Sequence, residues 1–258
     1  MSANGPQTDP TVVVLPEDTD RDAHATLEAL LRSMLKLLVP GARLDLVRFE
    51  PANEVSHRAV RATGWKNTKD RQSLVDLCRT IATDVARSNC LVAFHHDGDQ
   101  PWAQQDRSEN ARKFREIIVF RVRQILLTES KIKLSEEKID RCLQRLVPIV
   151  PYYTTESWLY QNTRRAIELC REHYSGADEK KFREWESDRS LLDEITQPWA
   201  LVCLRKKYNR PLAEEGFPAA DVAAVGKSFA AALDAIRQHP DFLAVLQYLP
   251  PPPYEHRG

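Results

Sequence analysis

Short apolar runs alternate with longer amphipathic segments through the first 150 residues, and this alternation is the strongest constraint on the fold. The runs have the length and the β-branched content of buried strands, and they span residues 11–15, 44–49, 90–95 and 146–150. Between them, in 27–38, 74–85 and 108–127, apolar residues recur every three or four positions, as on one face of a helix. Strands that alternate with helices predict an α/β fold with a mostly parallel sheet flanked by helices.

The pattern changes after Pro151, where helical periodicity replaces the alternation. Helices are predicted over 156–173, 178–187, 189–195 and 219–237, with a final turn or two over 241–248. Residues 50–70 are polar and basic and are predicted to form a loop. We therefore expect an α/β domain over residues 10–155, a helical C-terminal region packed on it over 156–248, and flexible tails at 1–9 and 249–258.

Composition narrows the functional classes. The chain carries 37 basic and 37 acidic residues, so its formal net charge is zero, which argues against tight non-specific binding of nucleic acid but not against a local basic patch. The five cysteines are odd in number and form no CxxC pair, so we expect buried apolar thiols rather than a disulfide scaffold or a zinc site. Residues 1–10 lack the apolar core of a signal peptide, and no apolar stretch reaches the length of a membrane span. These features predict a cytoplasmic protein.

Acidic residues follow three of the four predicted strands. They are Glu17, Asp18 and Asp20 after the first strand, Asp97 and Asp99 after the third, and Glu156 after the fourth. In an open α/β sheet, ligands bind outside the carboxyl ends of the strands, so parallel strands would bring these carboxylates to one edge. Carboxylates held close together repel one another unless a cation or a proton intervenes. The pattern predicts a Mg²⁺ site, and the alternative is that the acids cap helices or lie in solvated loops.

The Asp97-Gly98-Asp99 segment has a spacing suited to metal binding. In an extended chain, residues two apart point to the same side, which would place both carboxylates together. Gly98 would let the backbone approach closely between them. Mg²⁺ prefers a few carboxylate ligands and keeps several waters.

Three motifs resemble those of Toprim-like proteins, in the same order and with similar spacing over about residues 10–170. The first is Val12-Val-Val-Leu-Pro-Glu17-Asp-Thr-Asp20 followed by a leucine-rich helix, the second is Asp97-Gly-Asp99 after an apolar strand, and the third is Glu156-Ser-Trp-Leu159. The third motif is similar to one in the subgroup near the overcoming-lysogenization-defect (OLD) nucleases. The resemblance implies a Toprim-like sheet in which Glu17 is a general base or metal ligand and Asp97 and Asp99 bind metal. It also implies that Asp20 and Glu156 complete a second metal position.

The function that this resemblance implies is a metal-dependent nuclease that cleaves phosphodiesters in DNA or RNA with Mg²⁺ or Mn²⁺. Many proteins of the subgroup are encoded beside ATPases in bacterial defence loci, so the resemblance also implies an antiphage effector with an ATPase partner, and an oligomer is compatible with it. Basic side chains expected to contact substrate phosphates are Lys66, Lys69, Arg71 and Lys206.

Two alternatives remain open. Asp18 stands where Toprim-like proteins usually have glycine, and Pro16 directly precedes Glu17. These departures are compatible with a non-catalytic Toprim-like subunit that docks a partner protein. The Asp97-x-Asp99 spacing after an apolar strand also resembles haloacid-dehalogenase phosphatases, although Gln100 follows it where that family normally has threonine or valine.

Overall fold

Four parallel strands form the centre of the computed structural model, which describes residues 9–18, 22–51, 54–61, 71–129 and 134–248. The strands are β1 (Thr11–Leu15), β2 (Arg48–Pro51), β3 (Cys90–His95) and β4 (Leu146–Ile149), and their order across the sheet is β2-β1-β3-β4. Helices flank the sheet on both faces, so the prediction of an α/β fold with a parallel sheet is confirmed.

The strand order places a topological switch point between β1 and β3. From β1 the chain crosses to β2 on one side, and it then returns to pair β3 with the other side of β1. β4 pairs with β3 and closes the described sheet at that edge. A crevice forms outside the carboxyl ends of the two strands at such a point, and ligands of open α/β sheets bind there.

The helices of the first half cover the two sheet faces separately. They are α1 (Ala23–Leu38), α2 (Glu54–Arg61), α3 (Arg71–Val85), α4 (Glu109–Lys113), α5 (Phe120–Thr128) and α6 (Glu136–Gln144), with a π-helical segment Phe114–Val119 joining α4 to α5. Alternation along β1 sends Val12 and Val14 to the core under α1, and Val13 and Leu15 to the core under α3 and α5. Both faces are therefore buried, which explains the continuous apolar runs of β1 and β3.

The helices of the second half pack on the same sheet face as α1. They are α7 (Thr155–Leu159), α8 (Thr163–Tyr174), α9 (Glu179–Ser187), α10 (Asn209–Glu214), α11 (Ala219–Val225), α12 (Lys227–Arg237) and α13 (Pro240–Gln247). Trp158 of α7 and Phe229 of α12 lie in one core with Val12. Trp158 Nε1 also donates a hydrogen bond to Ser228 Oγ at 2.7 Å. These helices therefore share the hydrophobic core of the sheet.

Two strand and loop predictions differ from the structure. The expected strand over 44–49 begins as a 3-10 turn, Leu44–Leu46, and β2 begins only at Arg48. The reason is that β1 pairs with β2 from Thr11, whose partner is Arg48. The expected loop over 50–70 contains α2, while residues 52–53 and 62–70 lie outside the described residues.

Two predicted long helices are each divided. The helix expected over 156–173 breaks between α7 and α8, where the Asn162 side chain accepts from Arg165 N at 3.4 Å and donates to Leu212 O at 2.9 Å. The helix expected over 219–237 breaks at Gly226, because Asp193 Oδ2 accepts from Lys227 N at 2.6 Å and so caps α12. Apart from Asp9, the expected tails lie outside the described residues. In the described part of the chain, no helix is both long and apolar enough to cross a membrane.

Candidate metal centre

Glu17 links the ends of β1 and β3 at the switch point. Its Oε2 accepts a hydrogen bond from the backbone amide of Asp97 at 3.1 Å, and its own amide donates to His95 Nδ1 at 3.4 Å. The first and second acidic motifs therefore meet, as the strand-end positions predict.

His95 and Thr155 hold the Asp97 carboxylate. The His95 side chain is buried, and because Nδ1 accepts from Glu17, the ring proton lies on Nε2, which donates to Thr155 Oγ1 at 2.9 Å. The amide of Thr155 donates to Asp97 Oδ1 at 3.2 Å, and its hydroxyl lies 3.5 Å from the same oxygen. Residues from β3 and α7 thus fix one carboxylate at the edge of the sheet.

Asp97 lies at the electrostatic centre of the acidic residues. Although 33% of its side-chain surface is exposed, dense protein surrounds the rest, and this desolvation raises the pKa of Asp97 well above its ordinary value. The negative charges of Glu17, Glu156, Asp99 and Asp18, in decreasing order, raise the Asp97 pKa further. All three strand-end groups therefore act on one carboxyl, and a cation beside it would relieve their repulsion.

Asp99 departs from the arrangement expected for an Asp-x-Asp pair in an extended chain. Its φ of 55° lies in the left-handed region, so the alternation of side chains ends before it. The exposed Asp99 carboxylate accepts from Asn110 Nδ2 at 2.5 Å, and the same amide group donates to the carbonyl oxygen of Asp97 at 2.9 Å. Asp99 is near Asp97, but it is oriented by α4 rather than by strand geometry.

Glu156 is buried beside the first two groups, with 4% of its surface exposed. Thr154 Oγ1 donates to its Oε2 at 2.8 Å, and Asn209 Nδ2 donates to its Oε1 at 2.9 Å. Asn209 Oδ1 is buried and has no hydrogen-bond partner among the described residues. A buried oxygen without a partner costs about 1–3 kcal/mol, so a bound water or cation at this position would be stabilising.

Lys206 is a basic residue that reaches this edge. Its Nζ lies 2.9 Å from Asp18 Oδ2. Burial is the largest single influence on the pKa of Lys206, and it acts to lower it. The hydrogen bond and charge of Asp18, together with the charges of Glu156 and Asp97, outweigh burial and raise the pKa. The amine therefore stays protonated beside the carboxylates.

The other predicted site residues are not brought to the cluster by any described contact. Arg71 is exposed at the first position of α3. Because α3 runs back toward the start of β3, Arg71 lies toward the same edge of the sheet as the carboxylates. Asp20, Lys66 and Lys69 lie outside the described residues.

The donor set at the edge fits a hard cation such as Mg²⁺. Its oxygens belong to carboxylates and to one unpartnered amide, the ligand types that Mg²⁺ prefers. Among the described residues, these carboxylates do not supply three ligand atoms within 4.8 Å of one another. Mg²⁺ commonly takes one or two carboxylates and retains several waters, so a complete protein cage is not required.

No protein family model, curated protein or solved structure matches the chain. Function is therefore inferred from the residues of the sites themselves. The resemblance of the three motifs to Toprim-like proteins stays a prediction.

A second group that could hold a metal ion lies among three segments of the second half. Ligand atoms of Cys170, Asp178 and Cys203 all lie within 4.8 Å of one another. All five cysteines are free thiols and four of them are buried, as predicted, and this grouping adds a possible metal site that the sequence does not predict. The residues are 8 and 25 positions apart along the chain, so no short motif marks them. Sequence reasoning also missed Thr155, Asn110 and Asn209 of the carboxylate cluster, because only tertiary structure brings them to it.

Proposed function

We propose that the chain is a metal-dependent nuclease of the Toprim-like type, which hydrolyses phosphodiesters in DNA or RNA with Mg²⁺ or Mn²⁺. The observation that carries the proposal is the meeting of two strand-end acids at the switch point, where Glu17 Oε2 accepts from the amide of Asp97 at 3.1 Å. Burial, followed by the charges of Glu17, Glu156 and Asp99, raises the pKa of Asp97 there. Such convergence of acids in a crevice is typical of a site that takes a cation. The motif resemblance adds the reaction class.

Asp97 and Glu17 are the residues that would hold the metal ion, and Glu156 and Asp99 add negative charge around it. A divalent ion bound there supplies charge stabilisation at a phosphoryl oxygen and lowers the pKa of a bound water. The unpartnered Asn209 Oδ1 offers a further neutral oxygen beside Glu156.

The side chains around the carboxylates position the reacting groups. His95 and Thr155 hold Asp97 in one orientation, so its carboxylate does not have to reorganise when substrate binds. Glu17 serves either as a metal ligand or as the general base, with its carboxylate beside the amide of Asp97 at the carboxyl ends of β1 and β3. Lys206 supplies a positive charge for a phosphodiester oxygen.

A small recess of about 20 Å³ lies beside these groups. It is lined by Pro16 and Asp18 after β1, by residues at the start of α1, and by His95, Thr155, Lys206 and Asn209. A cavity of this size has room for about one water molecule. It therefore offers a place for a bound water beside the carboxylates rather than for a whole phosphodiester.

The proposed cellular role rests on the motif resemblance alone. In this role the protein is a cytoplasmic antiphage defence effector that acts on nucleic acid and has an ATPase as its partner.

The direct test compares Asp97→Asn with Asp106→Asn on plasmid DNA and on tRNA, each with Mg²⁺ or Mn²⁺. Asp106 is an exposed aspartate on the Trp102–Arg107 turn and serves as the matched control. We expect the wild type and Asp106→Asn to cleave only with metal, and Asp97→Asn to be inactive. Absence of cleavage by the wild type with either metal, alone and with the protein encoded beside it in the genome, would refute the nuclease. Release of inorganic phosphate from small phosphoesters instead would indicate a phosphatase.

A docking subunit without catalytic activity is the second candidate. Asp18 favours it, since this carboxylate occupies the usual glycine position and is paired with Lys206. If the chain only docks a partner, Asp97→Asn will retain the cellular phenotype, and Mn²⁺ will not raise the melting temperature of the wild type. A phenotype lost with Asp97→Asn would reject docking as the whole function.

A further inference from the structure

Two thiols and a carboxylate meet at the junction of three segments of the second half. Cys170 lies in the last turns of α8, Asp178 directly precedes α9, and Cys203 lies in the segment that leads to α10. The two sulfur atoms are 3.9 Å apart, and all three ligand atoms lie within 4.8 Å of one another.

This spacing matches a tetrahedral metal better than a disulfide. Two sulfurs that each lie about 2.3 Å from a tetrahedral Zn²⁺ are about 3.8 Å apart. The observed separation of 3.9 Å is close to that value. A disulfide has an S–S distance of about 2.0 Å, so its formation would require the sulfurs to move together by nearly half of their separation.

Backbone groups hold the ligands in place. The amide of Asp178 donates to Cys170 Sγ at 3.3 Å, a contact that stabilises negative charge on a thiolate. The amide of Cys203 donates to Asp178 Oδ2 at 2.5 Å, which fixes the carboxylate beside the second sulfur. The side chains are therefore oriented before any ion binds, and the hydrogen bonds tie the three segments to one another.

The donor atoms of this site favour a different metal from the one that fits the carboxylates at the sheet edge. Thiolates are soft ligands that favour Zn²⁺ over Mg²⁺, whereas the Glu17–Asp97 cluster offers oxygen alone. Cys170 is fully buried, while Cys203 and Asp178 are partly exposed, so an ion can enter from solvent and keep one water as a fourth ligand.

We propose that Cys170, Asp178 and Cys203 bind one Zn²⁺ ion, with water in the fourth position. Binding releases the two thiol protons to solvent, so the affinity rises with pH. The ion fastens the segment that begins at Cys203 to α8 and α9. Lys206 lies three residues further along that segment and pairs with Asp18, so the zinc site stabilises the position of a lysine that reaches the strand-end acids.

The test uses the full chain, purified with a phosphine reductant and stripped of metal. Zinc content after dialysis against Zn²⁺ is measured by mass spectrometry, and Co²⁺ is added as a spectroscopic probe. We expect one Zn²⁺ per chain and a near-ultraviolet thiolate-to-cobalt charge-transfer band that Zn²⁺ abolishes. Cys203→Ser and Asp178→Asn should each lose at least tenfold in Zn²⁺ affinity. Cys142→Ala, which changes a buried cysteine of the other core, should bind as the wild type does.

Three results would overturn the proposal. The first is wild-type protein that binds no Zn²⁺ and gives no charge-transfer band. The second is a Cys203→Ser variant with unchanged zinc stoichiometry and affinity, since Cys203 is partly exposed and its replacement is compatible with folding. The third is a Cys170–Cys203 disulfide that forms in air even with saturating Zn²⁺ present.

Discussion

Lys206 Nζ lies 2.9 Å from Asp18 Oδ2, although 188 residues separate them in the chain. This contact brings the helical second half of the chain to the strand-end acids of the first half. Thr155 of α7 makes a second such contact, because its amide donates to Asp97 Oδ1 at 3.2 Å. The candidate site is therefore assembled from both halves of the chain.

Replacing Lys206 by methionine should impair catalysis more than folding. The Lys206 side chain is 59% exposed, and exposed ion pairs contribute at most about 1 kcal/mol to stability. Removal of one positive group from a phosphoryl-transfer site lowers turnover by about 10²-fold or more. Lys207→Met is the matched control, because Lys207 lies beside the Tyr208 ring, 4.8 Å from its centre. Metal-dependent cleavage rates and melting temperatures are measured, and equal loss of activity in both variants would contradict the role of Lys206.

Asp97→Asn should stabilise the metal-free protein at neutral pH. The pKa of Asp97 is raised in the folded state, so the unfolded chain ionises first as the pH rises above 3.8. The fold therefore loses stability from about pH 3.8 until the pH passes the folded-state pKa, and the loss is constant above it. Asparagine removes this penalty, and we expect a gain of about 0.5–2 kcal/mol at pH 7 that shrinks toward pH 4. Urea unfolding of the wild type and of Asp97→Asn at pH 7 and pH 4 measures this gain in the free energy of unfolding.

The effect of Mn²⁺ on the melting temperature tests whether Asp97 holds the metal ion. Mn²⁺ should raise the melting temperature of the wild type and of Asp106→Asn but not that of Asp97→Asn, because a ligand stabilises only the folded state that binds it. If Asp97→Asn leaves the free energy of unfolding at pH 7 unchanged or lowers it, other groups in the fold already offset the repulsion among the carboxylates.

The sequence predicts β1, β3 and β4 well and the edge strand β2 poorly. The prediction for β3 has its observed bounds, because Cys-Leu-Val-Ala-Phe-His is a nearly continuous apolar run. β2 is half exposed and has the sequence Arg-Phe-Glu-Pro, which carries no apolar alternation. The break between α7 and α8 depends on the bond from Asn162 to Leu212, a partner 50 residues away that no local pattern reveals.

The candidate sites also contain some residues that the sequence predicts and others that only the packing of the fold reveals. Glu17 and Asp97 were predicted because acids at the ends of parallel strands must share an edge, and their contact at 3.1 Å follows from the topology. Asn110 and Thr155 were missed because their contacts with this cluster arise only from packing between elements. Cys170 and Cys203 are separated by 33 residues without a metal-binding spacing, so only the fold brings them together.

Gly98→Ala should destabilise the protein through a clash with Tyr152. A Cβ atom at position 98 would lie 2.6 Å from Tyr152 Cδ1 and 3.1 Å from the carbonyl oxygen of Pro151. Overpacking of this kind costs about 1–3 kcal/mol. A double-mutant cycle with Tyr152→Leu, followed by urea unfolding, measures the coupling. The double variant should lose less than the sum of the single losses, and strict additivity would show that the ring is not what requires glycine.

His239→Gln should make the fold less sensitive to acid. His239 is 7% exposed at the start of α13, and burial, followed by the positive charge of Arg145, lowers its pKa to about 4, although a backbone hydrogen bond to Ala235 acts in the opposite direction. The unfolded chain binds the proton near the ordinary value of 6.5, so the fold loses stability as the pH falls from about 6.5 to about 4.

The full loss across that window is about 3 kcal/mol, of which about 2 kcal/mol is reached at pH 5. Glutamine is neutral throughout, so the free energy of unfolding of His239→Gln should change less between pH 7 and pH 5 than that of the wild type. His173→Gln is the matched control, since His173 is exposed near the end of α8. If the wild type and both variants lose stability equally between these pH values, protonation of His239 does not limit the acid stability of the fold.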